Sequence, residues 1–197
     1  MNLKSDLTWH EGKVTYQERC HRLNQRGLVV WFTGLSGAGK STLAVEVEQK
    51  LHWRGYLSYR LDGDNVRQGL NSDLGFSAAD RDENIRRVAE VAALFKDAGL
   101  IVLVAFISPF RRMREFARRR AGQESFLEVY CKADLETLRS RDVKGLYTRA
   151  QQGQIAEFTG ISSPYEEPVE PDLCIDTGKT SIETATRLVL EEIIQKL

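Results

Sequence analysis

Short apolar runs alternate along the chain with segments in which apolar residues recur every three or four positions. The runs are typical of strands buried on both faces of a sheet, and the periodic segments are typical of helices with one buried face. The runs that predict strands are 27–33, 56–61, 100–107, 126–131 and 172–176. This alternation predicts an α/β fold, a three-layer sandwich in which a five-stranded parallel core sheet carries helices on both faces.

The predicted helices follow the strands and have recognisable ends. Segment 41–51 places apolar residues four positions apart, as one face of a helix would. A long helix is predicted to begin at Ser77, the first residue of a Ser-x-x-Asp capping signal, and to end at Gly99. A short arginine-rich helix follows between 111 and 120, and the closing helix is predicted to begin at Thr180 in a Thr-x-x-Glu signal.

Two segments lack this periodicity. Residues 1–26 are polar and are predicted to form an N-terminal arm that lies on a single domain, residues 27–197. Between about 142 and 171, glycines and prolines interrupt any regular pattern. Connections of this length inside a compact domain are usually functional lids or disordered, and the aromatic and basic residues here favour a lid.

Charge and cysteine content limit the functional classes. The chain has 28 basic and 28 acidic residues, so no global field attracts it to nucleic acid or to a membrane, and the arginine-rich helix is interpreted as a solvated face. Its three cysteines form no CxxC pair, which favours reduced thiols over a disulfide scaffold or a zinc site. The start lacks a signal-type apolar segment and the longest apolar run is too short to span a bilayer, so we expect a cytoplasmic protein.

The first chemical motif follows the first predicted strand. Residues 34–41 have the pattern Gly-x-x-x-x-Gly-Lys-Ser of a phosphate-binding loop. Between a strand and a helix, the loop's N–H groups and the positive end of the helix dipole surround a polyphosphate. Lys40 adds positive charge at the β- and γ-phosphates, and the Ser41 hydroxyl is suited to ligate Mg²⁺. The predicted ATP-binding residues of this motif are Gly34, Leu35, Ser36, Gly37, Ala38, Gly39, Lys40, Ser41 and Thr42.

Two carboxylates, Asp62 and Asp64, follow the second predicted strand. Ligands gather at the carboxyl ends of the strands of an open parallel sheet, so these residues are expected near the phosphate-binding loop and segment 107–110. A carboxylate there can orient an acceptor hydroxyl, accept its proton, or ligate Mg²⁺ through water. The pair taken alone would equally fit turn residues before a helix, but beside the loop it predicts a phosphotransferase.

Arginines near these carboxylates predict an anionic acceptor. Arg67 follows the carboxylate pair, and Arg81 and Asn84 share one face of the next predicted helix. Guanidinium groups bind phosphate or sulfate with two hydrogen bonds, although a solvated helix face would carry arginines as well. Phe76 and Phe158 would either stack on a base or pack in the core, and the sequence leaves both possibilities open.

Six motifs in collinear order resemble the adenylylsulfate kinase (APS kinase) family. They are Gly-Leu-Ser-Gly-Ala-Gly-Lys-Ser-Thr at 34–42, Leu-Asp-Gly-Asp-Asn-Val-Arg at 61–67, Leu-Gly-Phe-Ser with Arg-x-Glu-Asn-Ile-Arg-Arg within 74–87, Phe-Ile-Ser-Pro at 106–109, Lys-Gly-Leu-Tyr at 144–147, and Phe-Thr-Gly-Ile with Pro-Tyr-Glu-x-Pro within 158–168. A phosphate-binding loop alone is shared by many folds, but this set is specific and spans nearly the whole chain.

The resemblance implies a P-loop NTPase-type fold and one reaction. With Mg²⁺, the γ-phosphate of ATP would pass to the ribose 3′-hydroxyl of adenosine 5′-phosphosulfate (APS), giving PAPS and ADP in sulfate assimilation. It implies catalytic roles for Lys40, Asp62 and Ser108. It places Asp64 on the Mg²⁺ side and Arg141 near ATP, and it implies that the protein is a homodimer. The acceptor-binding residues that it implies are Asp62, Arg67, Phe76, Arg81, Asn84, Ile107, Ser108, Lys144, Leu146 and Phe158.

Ser108 is described in this family as a phosphoserine intermediate. The residues that follow it, Pro109 and Phe110, include no base that would activate its hydroxyl. Direct in-line transfer needs no covalent step. We therefore expect Ser108 to contact the acceptor first and to serve as an intermediate only second.

Two other functions remain alternatives. Another small-molecule P-loop kinase, of nucleoside monophosphate, gluconate or shikimate type, would share the loop and lid but would not account for the motifs at 61–67 and 158–161. A nucleotide-binding module without catalysis is the second alternative. Intact Lys40, Ser41, Asp62 and Asp64 argue against it.

Overall fold

The predicted strands form one parallel sheet in the computed structural model, which describes residues 8, 10, 12–142 and 145–197. The strands are β1 (Leu28–Thr33), β2 (Ser58–Asp62), β3 (Ile101–Ala105), β4 (Phe126–Lys132) and β5 (Leu173–Asp176). All neighbouring strands pair in parallel, in the order β2-β3-β1-β4-β5. The predicted five-stranded parallel sheet is confirmed, and the central β1 delivers the phosphate-binding loop.

Helices cover both faces of this sheet. The helices that the structure describes are α1 (Tyr16–Leu23), α2 (Lys40–Trp53), α3 (Gly63–Val66), α4 (Ala78–Asp97), α5 (Arg111–Ala121), α6 (Leu135–Ser140), α7 (Leu146–Gln151) and α8 (Ile182–Lys196). Alternate residues of β1 face opposite layers: Val30 and Phe32 pack with α2 and α8, whereas Trp31 packs with α4 and α5. The three-layer sandwich follows from this alternation.

Local signals set the ends of the long helices. The Ser77 hydroxyl accepts a hydrogen bond from the N–H of Asp80 at the start of α4, and Gly99 follows its end at φ 91°, as predicted. The predicted start of α8 was wrong by one residue. Ser181, rather than Thr180, caps that helix, because the N–H of Thr180 is used in the turn after β5, where it donates to the carbonyl of Asp176.

The arm contains a helix that the sequence analysis did not predict. Thr15 and Glu18 form a reciprocal capping box at the start of α1, a signal visible in the sequence as Thr-x-x-Glu. After this helix, the buried Gln25 side chain donates hydrogen bonds to the carbonyls of Leu57 and Gly99, at 2.9 and 2.7 Å. The described part of the arm is therefore attached to the domain at the end of the sheet where β2 and β3 begin.

The arginine-rich helix α5 differs from the expected solvated face. Arg112 and Arg120 do lie at the surface, where they pair with Asp82 and Glu90 of α4. Arg114, however, is only 3% exposed. The solvated-face interpretation was wrong for this residue, because α5 packs against the sheet and the sequence alone does not reveal the partners that bury it.

No helix in the described part of the chain combines the length and apolarity needed to cross a bilayer.

Candidate active site

The phosphate-binding loop joins β1 to α2 and needs glycine where the chain passes closest to β4. At Gly34 the backbone has φ 144°, and an added Cβ atom would lie 2.3 Å from the carbonyl oxygen of Cys131. Gly39 precedes α2 at φ 78°, also in the left-handed region. These constraints place the loop directly before the N-terminus of α2, where the helix dipole favours an anion.

Lys40 is held inside this loop. Its Nζ atom donates hydrogen bonds to the carbonyl oxygens of Gly34 and Leu35, at 2.9 and 2.7 Å, and the residue is 8% exposed. Burial lowers the pKa of the amine to about 8, while the nearby carboxylates of Asp62 and Asp64 act in the opposite direction. The two carboxylates therefore lie close enough to the lysine for their charges to act on its amine.

Asp62 ends β2 with a buried and only partly satisfied carboxylate. Its Oδ1 atom accepts a hydrogen bond of 3.1 Å from the N–H of Asp64 and so caps the short helix α3. Its Oδ2 atom lies 3.4 Å from Arg60 Nη1 and has no hydrogen-bond partner among the residues that the structure describes. A buried acceptor without a donor is costly, and such groups are typical of functional sites.

Arg67 and Phe76 stack on each other beside this carboxylate pair. The Arg67 guanidinium lies 4.4 Å from the centroid of the Phe76 ring and donates to the carbonyls of Leu74 and Gly75, both at 3.0 Å. Phe76 is 66% exposed. Of the two possibilities left open for Phe76, core packing is therefore excluded, and its ring is accessible for stacking.

Two further predicted acceptor residues, Arg81 and Asn84, lie on α4 and have different partners. Arg81 reaches the lid, where it donates to the hydroxyls of Thr159 and Ser163, at 2.9 and 3.2 Å, and to the backbone carbonyl of Glu157. Asn84 is buried, and its Oδ1 atom accepts a hydrogen bond of 2.8 Å from the Asn71 amide. Arg81 thus connects α4 to the lid, and Asn84 belongs to a buried amide pair.

The lid packs directly on the phosphate-binding loop. Tyr147 of α7 is buried, and its hydroxyl donates to the carbonyl of Ser36 at 2.8 Å. The ring of Phe158 meets that of Tyr147 edge-on, with 5.0 Å between centroids. Gly160 lies against the Leu35 side chain at a φ angle of 90°, in the left-handed region that favours glycine.

These contacts settle the position of several predicted lid residues. Phe158 packs with the core layer that contains α2, so core packing applies to it in this structure. Leu146 begins α7 and is half-buried. Lys144 lies outside the described residues. Tyr147 was missed as a site residue, although its place in the Lys-Gly-Leu-Tyr motif was a usable signal.

Ile107 and Ser108 follow β3 and join a hydrogen-bonded network with β1. The Ser108 hydroxyl accepts a hydrogen bond from the indole N–H of Trp31 and donates to the Thr33 hydroxyl, both at 3.0 Å. Thr33 in turn donates to the carbonyl of Ile107 at 2.8 Å. Ser108 is 1% exposed, so its hydroxyl is enclosed and occupied by these two partners.

Arg141 lies on the opposite side of the phosphate-binding loop, at the carboxyl end of β5. Its guanidinium donates to the hydroxyl and the carbonyl oxygen of Thr177, at 3.2 and 2.7 Å. The Thr177 hydroxyl donates to the carbonyl of Ala38 in the loop at 3.2 Å. Thr177 was not predicted, although the rule that ligands gather at carboxyl ends of strands applies to β5 as well.

Comparisons with known sequences agree with this geometry. A protein-family model described as adenylylsulphate kinase matches residues 26–176. The adenylyl-sulfate kinase of Prochlorococcus marinus is 52% identical over 98% of this chain and 94% of its own length. A probable adenylyl-sulfate kinase of Halalkalibacterium halodurans is 55% identical over 93% of this chain and 91% of its own.

Solved structures give the same result. The APS kinase of Mycobacterium tuberculosis, in complex with AMPPNP and APS, has a TM-score of 0.82 and 48% identity, covering 87% of this chain and 99% of its own. A gluconokinase of Sinorhizobium meliloti has a TM-score of 0.52 at 14% identity and so shares the fold alone.

Proposed function

The chain belongs to the adenylylsulphate kinase family, and we propose a role for each residue of the site in this family's reaction. In that reaction the γ-phosphate of ATP is transferred to the ribose 3′-hydroxyl of adenosine 5′-phosphosulfate. This reaction of sulfate assimilation gives PAPS and ADP. The observation that carries the division of roles is the buried Asp62 Oδ2 atom: among the described residues it forms an ion pair with Arg60 at 3.4 Å but accepts no hydrogen bond, and its charge acts on Lys40.

On the ATP side, the loop N–H groups of residues 34–42 and the α2 dipole bind the phosphates. Lys40 neutralises charge that develops on the transferred phosphoryl group, an interaction strengthened by its buried surroundings. Arg141 and Thr177 lie across the loop from β2 and are suited to contact the rest of the nucleotide.

Mg²⁺ fits the donor set beside the loop. The Ser41 hydroxyl at the start of α2 and the exposed Asp64 carboxylate on α3 are the hard oxygen donors that Mg²⁺ requires, the latter through water. When bound, Mg²⁺ would neutralise charge on the ATP phosphates.

On the acceptor side, Arg67, Arg81 and Asn84 are assigned to the phosphosulfate, and Phe76 and Phe158 to the adenine. Phe158 packs on Tyr147 but is only half-buried, so its packing leaves room for this role. The exposed ring of Phe76 supports its stacking role. Arg81 donates to Thr159 and Ser163 in this structure, so anion binding would exchange those hydroxyl partners for stronger, charged acceptors.

Transfer itself is assigned to an in-line displacement without a covalent intermediate. Asp62 Oδ2 accepts a hydrogen bond from the 3′-hydroxyl, orients its oxygen towards the γ-phosphate and takes its proton late. The enclosed hydroxyl of Ser108 supports a positioning role for that residue. The lid, joined to the loop through Tyr147, excludes water from the reacting groups.

Two broader proposals rest on the family resemblance and on composition. We propose that the protein is a homodimer, which multi-angle light scattering on the purified protein tests directly. We also propose that it works in the cytoplasm, where ATP is available and its three scattered thiols would remain reduced.

Coupled ADP release with MgATP tests the proposed function. APS, AMP, gluconate and shikimate are compared as acceptors, and turnover with APS alone is the expected result. Arg67→Ala should raise the KM for APS and leave that for ATP unchanged. Arg86→Ala is the matched control, because Arg86 is exposed and pairs with Glu83. Preference for another acceptor would overturn the substrate assignment, and an unchanged APS KM in Arg67→Ala would overturn the role of that residue.

A further inference from the structure

The guanidinium of Arg114 joins two backbone segments that are far apart in the sequence. Its Nη1 atom donates to the carbonyl oxygen of Ser108, after β3, and its Nη2 atom donates to that of Glu166, at the far end of the lid; both distances are 2.7 Å. Arg114 is 3% exposed, so it is a buried link and not a surface contact.

The third nitrogen of the guanidinium forms an ion pair. Arg114 Nε lies 2.8 Å from Oε1 of Glu128 on β4, and the Glu128 side chain is only 10% exposed. A buried arginine needs such a charged partner, and the planar, forked guanidinium combines this ion pair, which is not aligned as a hydrogen bond, with hydrogen bonds to two carbonyls. A lysine at this position would retain the charge but could not reproduce the three directions.

Further hydrogen bonds join the same two segments. The N–H of Glu166 donates to the carbonyl of Pro109, and the Glu166 carboxylate accepts from the N–H of Arg111, both at 2.8 Å. The hydroxyls of Tyr165 and Thr33 are hydrogen-bonded at 2.9 Å. The end of the lid is therefore attached to the loop after β3 and to the end of β1.

Ser108 is held in an unusual conformation at this junction. Its φ angle is 41°, in the left-handed region that non-glycine residues adopt only when their surroundings require it. Its hydroxyl is held by Trp31 and Thr33, and its carbonyl by Arg114. Arg114 thus contributes one of the three contacts that maintain this turn.

We infer that Arg114 is a positioning residue for the acceptor side of the site: it fixes the loop 106–110 relative to the end of the lid, residues 163–167. The inference rests on the proposed function, in which Ile107 and Ser108 line the acceptor pocket and the lid closes over it. Arg114 itself is enclosed by Ser108, Glu128 and Glu166 and acts through the two carbonyls. Among the described contacts, none of the polar contacts of Arg114 is with the phosphate-binding loop, so ATP binding should be independent of this residue.

Steady-state kinetics on Arg114→Lys tests this role, together with the double variant Arg114→Met/Glu128→Gln. The double variant removes both buried charges, so that folding does not depend on an unpaired carboxylate. Displacement of the acceptor loop should raise the KM for APS by about tenfold or more and leave the KM for ATP within about twofold. The end of the lid should also become more sensitive to limited proteolysis, a measurement that does not depend on turnover.

Arg118→Gln is the matched control. Arg118 lies one turn further along α5 and pairs with the same Glu128, at 3.5 Å, and with Asp172, at 2.8 Å. Among the described contacts it has no hydrogen bond to Ser108 or Glu166, so its replacement should leave the KM for APS and the proteolysis pattern close to those of the native protein.

The outcomes separate this inference from the proposed function. A selective rise in the KM for APS in both Arg114 variants, absent in Arg118→Gln, would support it. Normal turnover of APS by the native protein together with unchanged KM values in the Arg114 variants would overturn the inference alone. An equal rise in the KM for ATP and APS would also overturn it, because the residue would then act on the fold as a whole. Absence of APS turnover by the native protein would overturn both.

Discussion

The hydroxyl of Tyr147 donates a hydrogen bond of 2.8 Å to the carbonyl oxygen of Ser36, which ties the lid helix α7 to the phosphate-binding loop. Burial raises the pKa of this phenol to about 12, so the hydroxyl remains a protonated donor at neutral pH. The same ring contacts Phe158 edge-on. One side chain therefore connects the loop assigned to ATP with an aromatic residue assigned to the acceptor.

Tyr147→Phe should weaken this connection while keeping the ring contact. Loss of one hydrogen bond is expected to lower the free energy of unfolding by about 1 kcal/mol, measured by urea denaturation. Because the lost bond involves the loop, the KM for ATP should rise, whereas kcat should change little. Tyr59→Phe is the control, since Tyr59 is 51% exposed at the far edge of the sheet. Equal effects of the two substitutions would contradict the link.

Lys40 should take up a proton when ATP binds at mildly alkaline pH. Its pKa in the nucleotide-free protein is about 8, and a bound polyphosphate favours the charged form. Calorimetric titrations with MgATP in buffers of different ionisation enthalpy measure the number of protons taken up on binding. Proton uptake should be clear at about pH 8.5 and much smaller at about pH 7. Lys40→Arg should abolish the difference, because arginine stays charged. The same uptake in both proteins would show that another group is responsible.

The same lysine also affects stability. Its pKa in the folded chain, about 8, is below the ordinary value of 10.5, so the unfolded chain binds more protons between these values. The contribution of Lys40 to the free energy of unfolding should therefore become more favourable as the pH rises through this window. Denaturation of the native protein and of Lys40→Met across this range measures the effect, and parallel pH profiles would contradict it.

Asp62→Asn should separate catalysis from binding. Asparagine keeps an oxygen that can accept from the N–H of Asp64, so the cap of α3 is retained, but it cannot take a proton from the acceptor. We expect kcat to fall by about 10²- to 10⁴-fold with little change in ADP affinity. Asp97→Asn, at an exposed carboxylate that pairs with Arg19, is the control. A kcat within a few-fold of the native value would remove Asp62 from the reaction.

Ser108→Ala should remain active and test the covalent route. Its main cost is the buried indole N–H of Trp31, which loses its acceptor, so a loss of stability of about 1–3 kcal/mol is expected. Labelling the native protein with radioactive γ-phosphate from ATP, without acceptor, should leave the peptide that contains Ser108 unlabelled. A phosphorylated Ser108 that transfers its phosphate to APS at the rate of turnover would contradict the in-line route.

Much of the candidate site followed from the sequence because its signals are local. The loop at 34–42 and the carboxylates after β2 lie next to strands that apolar runs identify, and parallel strands bring their carboxyl ends together. The sequence could not assign the residues that each side chain contacts. Phe76 and Phe158 looked equivalent in the sequence, yet one is exposed over Arg67 and the other packs on Tyr147.

The sequence by itself determined the order of the five strands and of the longer helices that follow them, the phosphate-binding loop and the family, because each depends on residues that are neighbours or follow a short period. Only the tertiary structure decided that Arg114 is buried while Arg112 and Arg120 of α5 are exposed, and that the Ser108 hydroxyl is enclosed by β1. Ser108 and Trp31 are 77 positions apart, and Arg114 and Glu166 are 52 apart. No local pattern encodes such pairs, since packing of the sheet, α5 and the lid brings them together.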